Sequence, residues 1–296
     1  MQIAEFLERV SDDFIEEKKC NVDILRLDKI HPVISGNKYF KLKYYLEEAI
    51  RNNSDTIVTF GGYYSNHLHA TAFACNSHGL KSVGYVRGEE PLHLNDTLKD
   101  CIKYGMELKF IPQSSFREML QKFEVSSPEN IQIIPMGGHG VLGMNGASEI
   151  LNFEIAKKFD YIVGSAGTGT MGGGLLHKLE KHQQLVLISA VKNNFTLKEE
   201  ILALHPSLAS KEKQLNIHHE FHHGGFGKSN PILLERMNWF YNQHQIPTDF
   251  VYTGKMIFGF YELLRNNAFQ KNCKILLIHS GGIQGNRGLA IGSLNF

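Results

Sequence analysis

The chain has 296 residues, of which 42% are hydrophobic and 21% charged. That balance excludes a disordered chain and suits one large or two ordinary domains. With 31 Lys and Arg against 30 Asp and Glu, the formal charge is +1, so no global field draws in nucleic acid or an acidic membrane.

No apolar run approaches the roughly 18 residues that cross a bilayer. The opening MQIAEFLERVSDDF is acidic and amphipathic, without the basic start and apolar core of a signal peptide. Cys20, Cys75, Cys101 and Cys273 are scattered with no CxxC pair, as expected of free thiols in the cytoplasm.

Taken in chain order, apolar β-branched runs alternate with helical patterns. Strands are predicted at Asp23–Arg26, Thr56–Phe60, Ser82–Val86, Glu107–Phe110, Ile131–Pro135, Tyr161–Gly164, Leu185–Ala190 and Lys274–His279. Between them, helices are predicted at Lys41–Asn52, Asn66–His78, Leu94–Lys103, Gly146–Lys158, Gly173–Lys181 and Gly254–Arg265. Glu124–Asn130 reads as a loop, and Leu197–His219 is polar and matches neither period. This alternation predicts an α/β protein of open parallel sheets with helices on both faces. The strands fall into two sets, one over residues 56–135 and one from 161 onward. Two α/β units are expected, with a crossing near Gly143–Ala147.

Four strands run directly into glycine turns: Gly61-Gly62 after Thr56–Phe60, Gly137-Gly138 after Ile131–Pro135, Gly167-Thr168-Gly169-Thr170 after Tyr161–Gly164, and Gly281-Gly282 after Lys274–His279. Ligands of parallel sheets bind outside the carboxyl ends of strands, and glycine lets backbone N–H groups come close to them. The loop Gly167–Gly173 follows a strand and opens a helix, so its N–H groups lie at the positive end of the helix dipole. Ser165, Thr168 and Thr170 add hydroxyl donors, a set suited to a phosphate monoester. The loop also spells G-x-G-x-x-G, the dinucleotide fingerprint. The acid that should follow about 20 residues later is missing, because Leu185–Ala190 ends in Val191-Lys192-Asn193-Asn194. An NADP-binding oxidoreductase using Gly167–Gly172 therefore stays open, and NAD is disfavoured.

Lys38, in Ser35-Gly36-Asn37-Lys38, stands where a helix begins. The dipole there disfavours its cation, and a neutral amine is what imine chemistry with an aldehyde requires. His218, Glu220 and His222 would share one face of a strand, a candidate metal set. No metal is assigned to it. No G-x-S-x-G elbow or cysteine-nucleophile signature is present. Basic residues are dispersed, which argues against nucleic acid.

Five segments together resemble the 1-aminocyclopropane-1-carboxylate (ACC) deaminase/D-cysteine desulfhydrase family. They are Ser35-Gly36-Asn37-Lys38-x-x-Lys41-Leu42, Gly61-Gly62-x-x-Ser65-Asn66-His67, Gly167-Thr168-Gly169-Thr170, Val251-Tyr252-Thr253-Gly254-Lys255 and His279-Ser280-Gly281-Gly282. The family consists of pyridoxal-phosphate (PLP) enzymes of fold type II, the tryptophan-synthase β fold. The resemblance covers about residues 23–290 and implies a large PLP-binding domain of residues 1–41 and 148–296, with a small α/β domain of residues 42–147. It implies that Lys38 carries the cofactor and serves as acid and base, and that Lys41, Gly167, Thr168, Gly169 and Thr170 hold the phosphate. Asn66 would bond the cofactor's 3′-oxygen, Ser280 would meet the pyridine nitrogen, and Ser65 and Tyr252 would face the substrate. The substrate implied is a small amino acid, split to a 2-oxo acid and ammonia by a cytoplasmic homodimer.

This chain departs from ACC deaminase at two positions. Thr253 stands where that enzyme has an acid, as in the desulfhydrases. Phe226 stands where the family has a second active-site tyrosine. D-cysteine-like substrates are therefore expected over ACC. A non-catalytic family member that binds an amino acid is the remaining alternative.

Overall fold

The computed structural model describes residues 2–125 and 130–296. Strand β1 (Leu7–Val10) and helix α1 (Asp13–Glu17) lead into β2 (Asn21–Arg26) and then α2 (Asn37–Arg51). Next come β3 (Thr56–Gly61), α3 (Asn66–Ser77), β4 (Lys81–Arg87), α4 (Asp96–Lys103), β5 (Met106–Ile111), α5 (Gln113–Val125) and β6 (Ile131–Ile134). After α6 (Val141–Ser148) follow β7 (Tyr161–Ala166), α7 (Thr170–Lys178), β8 (Gln184–Ser189), α8 (Leu197–Ala203) and β9 (Leu215–His218). The chain closes with α9 (Pro231–His244), α10 (Thr253–Arg265) and β10 (Lys274–His279).

The α/β architecture of open parallel sheets expected from the sequence is present. One sheet has the order β1-β2-β10-β7-β8-β9 and the other β5-β4-β3-β6. All pairings are parallel except β1 with β2. Strand β10 lies inside its sheet, and Ile275, Leu276, Leu277 and Ile278 are all fully buried. Such a continuous apolar run, rather than an alternating one, is what a strand covered on both faces requires.

Strand order reverses once in each sheet. From β3 the chain moves outward to β4 and β5, then returns to the other side of β3 as β6. From β7 it moves outward to β8 and β9, then returns to the other side of β7 as β10. Each reversal opens a crevice at the carboxyl ends of the two strands flanking it. Those four strands, β3, β6, β7 and β10, are the four that run into glycine turns.

The structure corrects the sequence reading in several places. The helix expected over Gly146–Lys158 runs instead over Val141–Ser148, and two short 3-10 turns (Glu149–Leu151, Glu154–Lys158) follow it. The reason is close packing. A side chain at Gly143 would meet the Gly138 carbonyl at 1.9 Å, and one at Gly146 would meet the Phe40 carbonyl at 2.0 Å. These glycines are contact points of a helix, not its start. The unread segment Leu197–His219 contains α8 and β9. Because β9 ends at His218, His218, Glu220 and His222 do not share a strand face. His218 Nδ1 instead meets Glu220 Oε1 at 3.0 Å, and no group of three or more candidate metal ligands comes together among the described residues. Of the loop expected over Glu124–Asn130, residues 126–129 lie outside the described residues.

Candidate active site

Helix α2 begins at Asn37, four residues earlier than its apolar pattern indicates. Gly36 makes this start possible. It adopts φ +67 and ψ −147, and a side chain there would lie 1.9 Å from the Ser280 carbonyl. The same carbonyl accepts the Asn37 N–H at 3.0 Å, which ties the start of α2 to the end of β10. Lys38 and Lys41 then project one turn apart toward the strand ends.

Two adjoining hollows share Asn37, Lys38 and Tyr252. Asn66, His69, Ser280, Gly281, Gly282 and Gln284 line the first. Lys41, Gly137, Ser165, Gly167, Thr168 and Gly169 line the second. The structure thus brings together Lys38, Lys41, Asn66, Gly167, Thr168, Gly169, Tyr252 and Ser280.

Two residues expected at the site lie beside it. Ser65 caps α3, its Oγ accepting from Leu68 N at 3.2 Å, and it lines neither hollow. Thr170 is fully buried beneath the loop, with its Oγ1 3.2 Å from Thr168 Oγ1 and 3.0 Å from His139 Nδ1.

Lys38 Nζ donates to Asn37 Oδ1 at 2.8 Å. Burial pulls its amine down to about 8, and the more distant Asp249 pulls the other way. Lys41 is 4% exposed and donates to the Gly137 carbonyl at 3.3 Å. Burial, and then the Lys38 cation, hold it well below the ordinary lysine range. Buried His67 follows the same logic. Burial, Lys38 and Lys41 hold it far below its usual value, and its Nε2 lies 2.8 Å from Thr59 Oγ1 while Nδ1 has no partner among the described residues.

At the far wall, a side chain at Gly167 would meet the Tyr252 ring at 3.0 Å. Phe226 also meets that ring, edge-on, with centroids 5.9 Å apart. Ser280 Oγ lies 3.3 Å from Ser165 Oγ, so two neutral hydroxyls face each other across β10 and β7.

Four contributors escaped the sequence reading. Asp249 is fully buried and accepts four hydrogen bonds: Val251 N and Tyr252 N at Oδ2, both 2.9 Å, and Thr253 N and Oγ1 at Oδ1, 2.8 and 2.6 Å. It fixes the turn that presents Tyr252 and draws Thr253 away from the hollows. An Asp four residues before a helix-starting Thr was the signal available. Gln284 donates to Asn66 Oδ1 and accepts from Thr97 Oγ1, joining the two crevices. His139 supports Thr170, and His69 pairs with Asp100 at 3.3 Å. His279 is a strand-end residue, as expected. It is fully buried between Asp28 Oδ1 at 3.1 Å and the Pro247 carbonyl at 2.8 Å.

The donor set fits PLP. Among the described residues, Lys38 and Lys41 hydrogen-bond to an amide oxygen and a carbonyl, not to a carboxylate. A dianionic phosphate supplies the missing counter-charge, and an aldehyde suits an amine depressed to about 8. The N–H groups of the Gly167–Gly169 loop lie at the start of α7, where an anion is stabilised.

Fold and site together define a two-sheet α/β enzyme whose lysine-bearing crevice binds a phosphorylated aldehyde cofactor. Residues 10–281 match the pyridoxal-phosphate dependent enzymes, and the chain belongs to that family. It is 30% identical over 95% of its length to a Thermotoga maritima protein that carries a provisional ACC deaminase name, 94% of which is covered. It is 26% identical to a D-cysteine desulfhydrase of Salmonella typhi, over 94% of this chain and 90% of that one. A solved structure described as an ACC deaminase homologue superposes with a TM-score of 0.79 at 26% identity, covering 95% of this chain and 90% of its own. The enzyme is PLP-dependent, so Gly167–Gly172 is not an NADP fingerprint here, and a purely non-catalytic role is set aside. No helix of the described residues is long and apolar enough to cross a membrane.

Proposed function

We propose that the chain is a PLP-dependent deaminase that eliminates a β-substituent from a small amino acid of the D-cysteine kind, releasing a 2-oxo acid and ammonia, and that it acts poorly on ACC. The observation that carries this reading is the contact of Phe226 with Tyr252, a residue that lines both hollows, which offers one phenol where two would be needed.

PLP supplies the electron sink that stabilises a carbanion at the substrate Cα. In our reading Lys38 Nζ holds the cofactor and afterwards takes the α-proton, an exchange that an amine titrating near 8 performs close to neutral pH. Lys41 and the Gly167–Thr170 loop hold the phosphate, with Thr170 acting through Thr168. Asn66, steadied by Gln284, orients the ring. The hydroxyl of Ser280 meets the pyridine nitrogen and, carrying no charge, leaves it less protonated than a carboxylate would. That suits elimination of a good leaving group. The Tyr252 phenol lies above its ordinary range through burial and then through Asp249, so it remains protonated and able to donate. Ser65, turned into its helix cap, acts on the substrate through the α3 N-terminus.

The division into a unit of residues 1–41 and 148–296 and a unit of residues 42–147 belongs to the same proposal, as do a homodimeric assembly and a cytoplasmic location. A visible spectrum of the purified protein, followed by a panel of D- and L-amino acids assayed for 2-oxo acid and ammonia, tests the activity. An imine band with turnover of D-cysteine or β-chloro-D-alanine is expected. A panel on which only ACC reacts would overturn the proposal.

A further inference from the structure

Lys255 lies three residues after Tyr252 on α10 and is 0% exposed. Its ammonium donates to the carbonyl oxygens of Gly225 at 2.7 Å and Ala190 at 3.4 Å. Both acceptors are neutral, and no carboxylate of the described residues is within ion-pair distance. A methionine would fill the same space without removing a cation from water. Packing therefore does not account for a lysine, whereas its two directed hydrogen bonds do.

The Gly225 carbonyl immediately precedes Phe226, whose ring meets Tyr252. The loop is also held at His223, whose ring meets Phe258 of α10 edge-on with centroids 4.2 Å apart and whose Nδ1 lies 3.2 Å from Asn230 Oδ1, but these contacts fall before the Gly224–Phe226 stretch. Phe226 is 53% exposed, and Gly224 and Gly225 have φ of +95 and +109, where a glycine chain has wide freedom. The turn's own bonds, Gly225 N to His222 O at 3.0 Å and Lys228 N to Gly225 O at 3.1 Å, close it but do not anchor it to the body of the protein. Lys255 does, from the same helix turn that carries Tyr252.

We infer that Lys255 is a positioning residue: a strut from α10 to the Gly225 carbonyl that holds Phe226 against Tyr252 and so sets how closely the substrate's side chain is gripped. The inference rests on the β-eliminating reading for its kinetic part alone.

The test compares PLP-loaded wild type with Lys255→Met and Lys255→Gln, measuring kcat and KM for D-cysteine and β-chloro-D-alanine, and amide hydrogen exchange over residues 222–228. Loss of the charge-assisted bond should raise KM about tenfold in Lys255→Met while kcat changes by less than about threefold, and should speed exchange in the loop. Lys255→Gln, which keeps a donor, should fall between. Phe226→Ala should raise KM similarly and add little to Lys255→Met, since both act through one contact. KM within about twofold of wild type in both lysine variants, or a fall in kcat alone, overturns the strut. So does unchanged loop exchange. If Lys255→Met does not fold, Lys255→Gln and the Phe226→Ala pairing carry the same test. Failure of the wild type to turn over either substrate would overturn the β-eliminating reading, while loop exchange would still decide the strut.

Discussion

Lys38 and Lys41 stand one helical turn apart, and partial burial of the first and full burial of the second lower both amines from the ordinary lysine range. This depression is larger and better caused than the dipole argument available from sequence alone. It makes two outcomes measurable. Lys38→Ala should leave the fold intact and abolish covalent cofactor. After borohydride, intact mass should show a PLP adduct on wild type and none on the variant. An adduct that persists would move the cofactor lysine elsewhere. Uptake of PLP by cofactor-free protein should quicken as pH rises, with a midpoint near 8, because only the deprotonated Lys38 amine attacks an aldehyde. A rate flat from pH 6.5 to about 9.5 would contradict that assignment. Lys41→Ala removes the direct phosphate donor we propose, so PLP loss on dialysis should correspond to roughly ten- to a hundredfold weaker affinity. Thr170→Ala should weaken retention less, since Thr170 Oγ1 reaches the loop only through Thr168. Unchanged retention in both variants would rule out the phosphate-loop reading.

Among the elements, the start of α2 governs where those lysines stand, and Gly36 governs that start. Its φ and ψ belong to a region populated essentially by glycine, and the Ser280 carbonyl occupies the space of any side chain. Gly36→Ala should cost at least about 1–3 kcal/mol from backbone strain alone. It should lower both Tm and PLP retention by prising α2 from β10. A variant with wild-type Tm and cofactor content would show that the junction tolerates a shift. The same junction shows what was legible in the sequence. Gly36 and Lys38 were readable as a motif, but helix α2 seemed to begin at Lys41 because its apolar face begins there, whereas its first turn faces the crevice. Strands buried on both faces, such as β10 and β7, announced themselves as apolar runs. Short edge strands did not: β1 has four residues, and β9 has polar Asn216 and His218 among its four. Helix α6 was displaced because Gly143–Ala147 read as a crossing between the two units, with the helix starting at Gly146, and only tertiary contact with Gly138 and Phe40 shows Gly143 and Gly146 as packing points. Asp249 and Gln284 were illegible as site residues because each acts on another residue rather than through a motif of its own.

In the whole molecule, two sheets each reverse strand order once, and three of the four glycine turns of those reversals, at Gly137, Gly167–Gly169 and Gly281-Gly282, line the two adjoining hollows, while Gly61-Gly62 lines neither. Gln284 and Arg287, which follow β10, bond Asn66, Thr97 and Asp100 of the other sheet's helices, with Arg287 to Asp100 at 2.6 Å. The crevice is thus walled from both sides, and its chemistry depends on the few groups that face inward. Substrate choice follows from that count. ACC has no α-hydrogen, so opening its ring needs proton transfer away from Cα and a second acid or base near the ring. D-Cysteine needs only removal of its α-proton, the role proposed for Lys38, and departure of a thiolate. The wall that could supply the extra proton holds Tyr252 and, edge-on to it, Phe226, which has none to give. Thr253, which stands in the place of an acid, is committed to Asp249 at 2.6 Å. A missing general acid or base typically lowers a rate by a factor of about 10²–10⁴. Wild type should therefore process D-cysteine and β-chloro-D-alanine with kcat/KM at least about a hundredfold above that for ACC. Phe226→Tyr, which places a hydroxyl beside Tyr252 at an already half-exposed position, should narrow that ratio by raising the ACC rate rather than by lowering the others. Efficient ACC turnover by wild type would mean that another group, with His222 and His223 the nearest in sequence, supplies the proton that Phe226 lacks.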